Sequence, residues 1–194
     1  MELTRPFSGI RAIFLPVGKP PVGTCEFASD VCLSCCASFG GQNVLGVDCK
    51  ERALRFLMNS ESVEITSKIR SEATAVYWFA SGDCPSSLGE KLAEVILLLS
   101  DLGINQNGFT RNVSFWNKVR HFSNIGLTIE APKKSDGVGF LMAVPNYETG
   151  AVSVYFDRSL VMECFGDCTY RCDQCIEEKK GCFTEKLTSL LKED

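Results

Sequence analysis

Four cysteines fall within residues 25–36, spaced Cys25-x6-Cys32-x2-Cys35-Cys36, and five more within 164–182, spaced Cys164-x3-Cys168-x3-Cys172-x2-Cys175-x6-Cys182. The chain holds eleven cysteines and one histidine, and only Cys49 and Cys84 stand outside these two groups. Thiolates ligate zinc or iron when three or four sulfurs converge on one centre. A loop that follows a strand can supply three such ligands, because its backbone is not committed to a ladder. Adjacent Cys35 and Cys36 do not both reach one ion comfortably. The front group therefore predicts three ligands, with one of that pair turned elsewhere, and a fourth metal position left open to a substrate or cofactor. The second group packs five thiols into a stretch with almost no apolar residues, which cannot order itself without bound metal. Four of Cys164, Cys168, Cys172, Cys175 and Cys182 suffice for a tetrahedral zinc site or for a second iron–sulfur cluster, and the spacing alone does not choose between the two.

Whether these thiols are free depends on compartment. The first residues, "MELTRPFSGIRAIFLPVGK", carry an acid at position 2 and no small-residue cleavage site after an apolar core, so they do not read as a secretory signal. A cytoplasmic location is expected, where thiols stay reduced and dense cysteine patterns bind metal more often than they form disulfides. The odd cysteine count also argues against complete pairing. For Cys49 and Cys84 the favoured reading is a small buried hydrophobe, although Cys84 sits in the strand-end loop "SGDCPSS", where ligands bind in parallel-sheet proteins.

Other function classes are excluded or unsupported. A net charge of −4 predicts no general affinity for nucleic acid or anionic membrane, and apolar runs such as "VILLL" are far short of the roughly 18 residues of a membrane span. A single histidine rules out Cys2His2 fingers and gives no support to serine–histidine catalysis. "GGQNVLG" has glycines but neither dinucleotide nor Walker spacing.

The segment between the clusters must position them, and it reads as alternating strands and helices. "RAIFLPV" (11–17) suits a buried strand ended by "GKPPVG". Residues 50–70 carry Ala53, Leu54, Leu57 and Met58 at helical spacing, with a break near 60–63. "TAVYWFA" (74–80) is β-branched and aromatic, 87–103 is a helix stopped at Gly103, and a short strand is expected around 108–110. A helix over 113–122 precedes strands at 124–132, 138–146 and 151–157, the last two separated by "YETG" as in a hairpin. This pattern predicts an α/β protein: a partial, open βα barrel or a short, mainly parallel sheet flanked by helices. The division expected is an α/β domain over 1–160 and a cysteine-rich metal knuckle over 161–194.

The stretch "CEFASDVCLSCCAS", followed by "CKERALRFLMNSESVEI", resembles the phage-associated gene-product-88-like family, whose members show Cys-x6-Cys-x3-Cys-x-Ala and then an arginine- and glutamate-rich helix. "WFASGDCPSSLGEKLAEVI" is similar to that family's strand-end Ser-Gly-Asp segment, and "FTRN" to its Thr-Arg turn. The resemblance implies Cys25, Cys32 and Cys36 as ligands, with Cys35 extra. The layout is also similar to that of radical S-adenosylmethionine enzymes: a three-cysteine loop after the first strand, then a glycine–acid motif after the second. The spacing departs from the Cys-x3-Cys-x2-Cys usual there. That likeness implies a 4Fe–4S cluster, S-adenosylmethionine as cofactor and an electron donor as partner. Ser81, Gly82 and Asp83 would then face the cofactor ammonium, while Arg111 and Asn112 would face its carboxylate or a substrate anion. Read plainly, Asp83 is a turn or helix-cap acid and Arg111 a surface or helix-end charge.

The expectation is therefore an iron–sulfur protein acting on an unknown substrate. The alternatives are a non-enzymatic zinc-binding interaction module and an iron–sulfur electron-transfer or sensor protein.

Overall fold

The computed structural model describes residues 2–7, 10–34, 36, 46–132, 138–145 and 152–156. Its strands are β1 (Arg5–Phe7), β2 (Ile10–Phe14), β3 (Ala75–Ser81), β4 (Asn105–Thr110), β5 (Asn124–Pro132), β6 (Val138–Pro145) and β7 (Val152–Phe156). Its helices are α1 (Asp30–Ser34), α2 (Val47–Asn59), α3 (Ser62–Glu72), α4 (Gly89–Asp101) and α5 (Val113–Val119). The strands form one mixed sheet whose spatial order is the order of the chain. β2 to β5 run parallel, each joined to the next through helix, as the alternation in the sequence predicts. β1, β6 and β7 add antiparallel flanks. The cause is connection length: a parallel return needs a dozen or more residues, and the chain between β1 and β2, β5 and β6, or β6 and β7 is shorter than that. The α/β class is thus established. The expected unit 161–194 lies outside the described residues.

The sheet is two-sided. Ile13 and Leu15, Val76 and Trp78, and Ile125 and Leu127 turn one face toward a core shared with Leu57 of α2, Ile65 and Ile69 of α3, Leu92 and Ile96 of α4, and Phe115 of α5. The alternate residues Ala12, Phe14 and Tyr77 form a smaller cluster on the other face, with Phe7, Ile10, Ala80 and Phe109 packed against it. This is the period-two alternation of a strand covered on both sides. β3 breaks the alternation at its end. Ala12 pairs with Tyr77 but Phe14 with Ser81, so β3 bulges, and Phe79 takes up the extra length at φ +57°. The bulge turns both Trp78 and Phe79 into the helix-side core.

Two glycines set how closely backbones pass. A Cβ on Gly108 (φ +148°) would lie 2.4 Å from the Trp78 carbonyl oxygen on the neighbouring strand. One on Gly82 (φ +73°) would lie 2.6 Å from Thr24 Oγ1 and 2.7 Å from Leu15 Cβ. No larger residue fits either place without moving a strand.

The helix layer is tied by charge as well as by packing. Lys91 of α4 donates from Nζ to the carbonyls of Leu57, Met58 and Ser60, meeting the open C-terminal end of α2. Glu72, at the end of α3, accepts from the backbone N–H groups of Leu3 and Thr4, from the Thr4 hydroxyl and from Lys68, pinning the N-terminal strand to the helix layer. Burial pushes the Glu72 carboxyl up, and the Thr4, Leu3 and Lys68 bonds outweigh it, leaving the group below its ordinary value. Among the described residues, no helix is long and apolar enough to cross a membrane.

Candidate functional site

The carboxyl ends of β2, β3 and β4 meet where parallel α/β sheets bind ligands. Ser81, Gly82, Asp83, Arg111 and Asn112, expected there from the sequence, lie at these ends, and Asp83 is bonded directly to Arg111. Ser81 closes β3 by donating from Oγ to the Leu15 carbonyl at 2.8 Å, while the Leu15 N–H donates to the Ser81 carbonyl at 2.9 Å. Gly82 turns the chain in the left-handed region, which presses it against Thr24 and Leu15.

Asp83 follows and is 5% exposed. Its Oδ1 accepts from the Cys84 N–H at 2.7 Å and the Thr110 hydroxyl at 2.6 Å, and its Oδ2 accepts from the Arg111 N–H at 2.9 Å. Its own N–H donates to Thr24 Oγ1, which in turn donates to the Pro16 carbonyl. The carboxylate thus joins the loops after β3 and β4, and the Asp83 backbone N–H ties in the loop after β2. Burial pushes the Asp83 carboxyl up to about 6, opposed by the Thr110, Arg111 and Cys84 bonds and by the nearby Arg111 charge. Of the roughly four lone-pair sites of a carboxylate, the chain uses three, and the remaining one is on Oδ2.

Asn112 belongs to the same knot. Its Nδ2 donates to the Cys84 carbonyl at 3.1 Å, and its Oδ1 caps α5 by accepting from the Phe115 N–H at 2.9 Å. The cofactor-facing residues implied by the resemblance are therefore gathered in one place. The polar atoms of Ser81, Asp83 and Asn112 that meet partners do so within the chain.

The front cysteine loop lies against this knot. It is anchored by bonds from the Thr24 N–H to the Pro16 carbonyl and from the Cys25 N–H to the Gly18 carbonyl. Glu26 accepts from both the N–H and the hydroxyl of Ser86, just past Asp83. Cys25 is buried at 9% exposure, whereas Cys32 on α1 and Cys36 beyond it are partly exposed. None of the three is in a disulfide. Burial pushes the Cys25 thiol up to about 11, and the charges of Asp83, Cys36 and Cys32 add to that rise. Cys32, Cys36 and Asp83 thus each lie within electrostatic reach of Cys25. The amine of buried Lys50 on α2 is pushed down by its burial and feels Cys36 in the opposite sense. Among the described residues, no group of three His, Cys, Asp or Glu side chains is placed to hold a metal ion. The thiols are assembled on one side of the knot but not closed on a point.

Cys35 and the C-terminal ligands expected at Cys164, Cys168, Cys172, Cys175 and Cys182 lie outside the described residues. Of the isolated cysteines, Cys84 is wholly buried, its thiol pushed up by that burial, while Cys49 is partly exposed and accepts from the Arg52 guanidinium at 3.1 Å. Sequence reasoning missed Thr24, Glu26 and Thr110, which bind the three loops together. Their only signal was a hydroxyl or acid beside a turn glycine or a strand end, too common a pattern to single out.

No protein-family model matches the chain, and no curated protein or solved structure matches it either.

Proposed function

We propose that this chain is an iron–sulfur protein of radical S-adenosylmethionine-like build, on a partial, open βα barrel, with Cys25, Cys32 and either Cys36 or Cys35 as the ligands of a 4Fe–4S cluster. The observation that carries the reading is that Cys32, Cys36 and Asp83 all lie near enough to buried Cys25 for their charges to act on its thiol, beside parallel strands that follow one another in sequence order. Sequence order with helices on one face is the topology of a barrel segment, and it supports the βα-barrel reading of the α/β fold. The donor set fits: soft thiols suit iron and zinc, and a buried thiol that stays protonated beside two others and a carboxylate gains most when a cation neutralises the group. Ligands that close on the metal only when it binds are ordinary behaviour for metal-coupled loops.

When bound, such a cluster supplies the electron for reductive cleavage of S-adenosylmethionine. The chain's own residues do the rest. The Asp83 knot fixes the cysteine loop against the strand ends, and the free Oδ2 position would accept one N–H of the cofactor ammonium. Arg111 and Asn112 stand at the next strand end for an anion, and the substrate is unknown. Under this reading the C-terminal cysteines Cys164, Cys168, Cys172, Cys175 and Cys182 hold a second cluster or zinc, and an electron donor is the partner.

One observation favours a second reading, a non-enzymatic zinc module: Asp83 is almost saturated by its own chain and needs no ligand to explain it. Anaerobic reconstitution with iron and sulfide separates the two. A brown protein that then binds S-adenosylmethionine in calorimetry, with affinity reduced at least tenfold by Asp83→Asn, supports the first. A colourless, zinc-loaded protein that ignores S-adenosylmethionine refutes it, and a brown protein that ignores it leaves electron transfer or sensing.

A further inference from the structure

The sheet face turned away from the helices carries two buried asparagines with side-chain atoms that meet no hydrogen-bond partner among the described residues. Ala12, Tyr77, Asn107 and Asn124 occupy paired positions on β2, β3, β4 and β5. The face is fixed by their neighbours. Gln106, next to Asn107, turns into the helix layer, where Nε2 donates to the Ile96 carbonyl and Oε1 accepts from Trp78 Nε1. Ile125, next to Asn124, belongs to the helix-side core. Asn107 and Asn124 therefore point the other way, alongside Tyr77.

Asn107 is 1% exposed, and neither its Nδ2 nor its Oδ1 has a hydrogen-bond partner among the described residues; Asn124 is 5% exposed, and its Oδ1 has none there either. Strand pairing sets the two amides side by side, yet they do not bond to each other. Exchanging the oxygen and nitrogen of Asn107 changes nothing, because both atoms are unmet. Buried amide groups left in this state are rare, and each works against folding. A valine or leucine would serve the sheet better, so the row is explained by what it binds. Beside it, Phe7, Phe14 and Tyr77 make an aromatic wall, with Phe7 centred 5.3 Å from Tyr77 and 5.8 Å from Phe14.

We propose that this face binds a planar amide, either a primary carboxamide or a ring lactam, held by paired hydrogen bonds with the Asn107 side chain next to Tyr77, with Asn124 Oδ1 taking a further donor. An amide offers one donor beside one acceptor, so its natural complement is another amide, which meets both Asn107 atoms at once. Tyr77 and its aromatic neighbours suit the flat body of such a ligand. Away from bulk water these bonds are strong and selective, since an analogue without the donor leaves a buried oxygen unmet. The proposal does not depend on the thiol site, and the test below reads the same with or without bound metal.

The full chain is titrated by calorimetry and amide NMR with nicotinamide and with uridine, and with N,N-dimethylnicotinamide and 3-methyluridine, which lack the donor. The expected result is binding of at least one parent compound, weakened at least tenfold in its methylated analogue, with a shift of the Asn107 side-chain NH2 resonances. Binding of nicotinamide alone identifies a carboxamide, of uridine alone a lactam, and of both the shared chemistry. Asn107→Leu is expected to abolish binding while raising the melting temperature of the free protein. Asn107→Asp, nearly the same size, keeps the acceptors, loses the donor and serves if the leucine variant fails to fold. No binding by either parent, or binding unchanged in both variants, overturns the proposal and leaves the row with trapped water only.

Discussion

Two buried polar groups lie on this sheet, and they are treated in opposite ways. Around Asp83, hydroxyls, backbone N–H groups and the carboxylate are matched to one another across three loops. Around Asn107 and Asn124, equally buried, three side-chain atoms meet no hydrogen-bond partner among the described residues. The contrast separates scaffold from recognition. A matched knot is rigid and sets the strand ends in place, whereas an unmatched row bears a standing cost that only a bound molecule relieves.

Substitutions should read this difference as a difference in sign. Asp83→Ala strands the donors of Cys84, Thr110 and Arg111 and unfastens the loops after β3 and β4 from each other, and is expected to cost about 3–5 kcal/mol in chemical denaturation. A loss under about 1 kcal/mol would mean that the knot is not the scaffold. Thr24→Val keeps the shape and deletes the bridge between Asp83 N–H and the Pro16 carbonyl, with an expected cost of about 1–3 kcal/mol. Asn107→Leu is expected to act in the other direction, gaining on the order of 1 kcal/mol in the free protein; a large loss there would show the row to be as well satisfied as the knot.

A further difference is in pH dependence. The Asp83 carboxyl sits at about 6 in the folded chain against an ordinary 3.8. Its protonated form is therefore favoured by folding, and its contribution is full below pH 3.8 and is lost as the pH rises through 6. Glu72 has the opposite slope: held below its ordinary value, it stabilises above that value, and the benefit disappears as the pH falls through its lowered value. Asp83→Asn should flatten the stability profile between about pH 4 and 6 relative to the parent chain, and an unchanged profile would contradict the assignment.

Much of the frame was legible because it follows from local pattern. Helical spacing gave α2 and α3 with their break, and the aromatic run gave β3. The edge strand β1 was not visible: three residues with a central proline have no periodicity to read. Nor was α1, five residues inside a cysteine-rich loop. At the site, the Ser81-Gly82-Asp83 turn and the strand end before Arg111 stood out by residue type. That Asp83 is consumed by Thr110 and the Arg111 backbone depends on strand register, which no short motif encodes. The Asn107–Asn124 pairing across β4 and β5 was hidden for the same reason.

Whether thiols at the strand ends hold an inorganic centre, as proposed, is decided by counting iron, sulfide and zinc per chain after anaerobic preparation. The measurement is made in the parent chain and in the Cys25→Ala, Cys32→Ala, Cys36→Ala triple variant, with the C-terminal cysteines intact in both. The prediction is iron and sulfide in equal amounts in the parent, with one cluster's worth lost in the variant. A parent that carries zinc without sulfide, or a variant that keeps all of its iron, would contradict it.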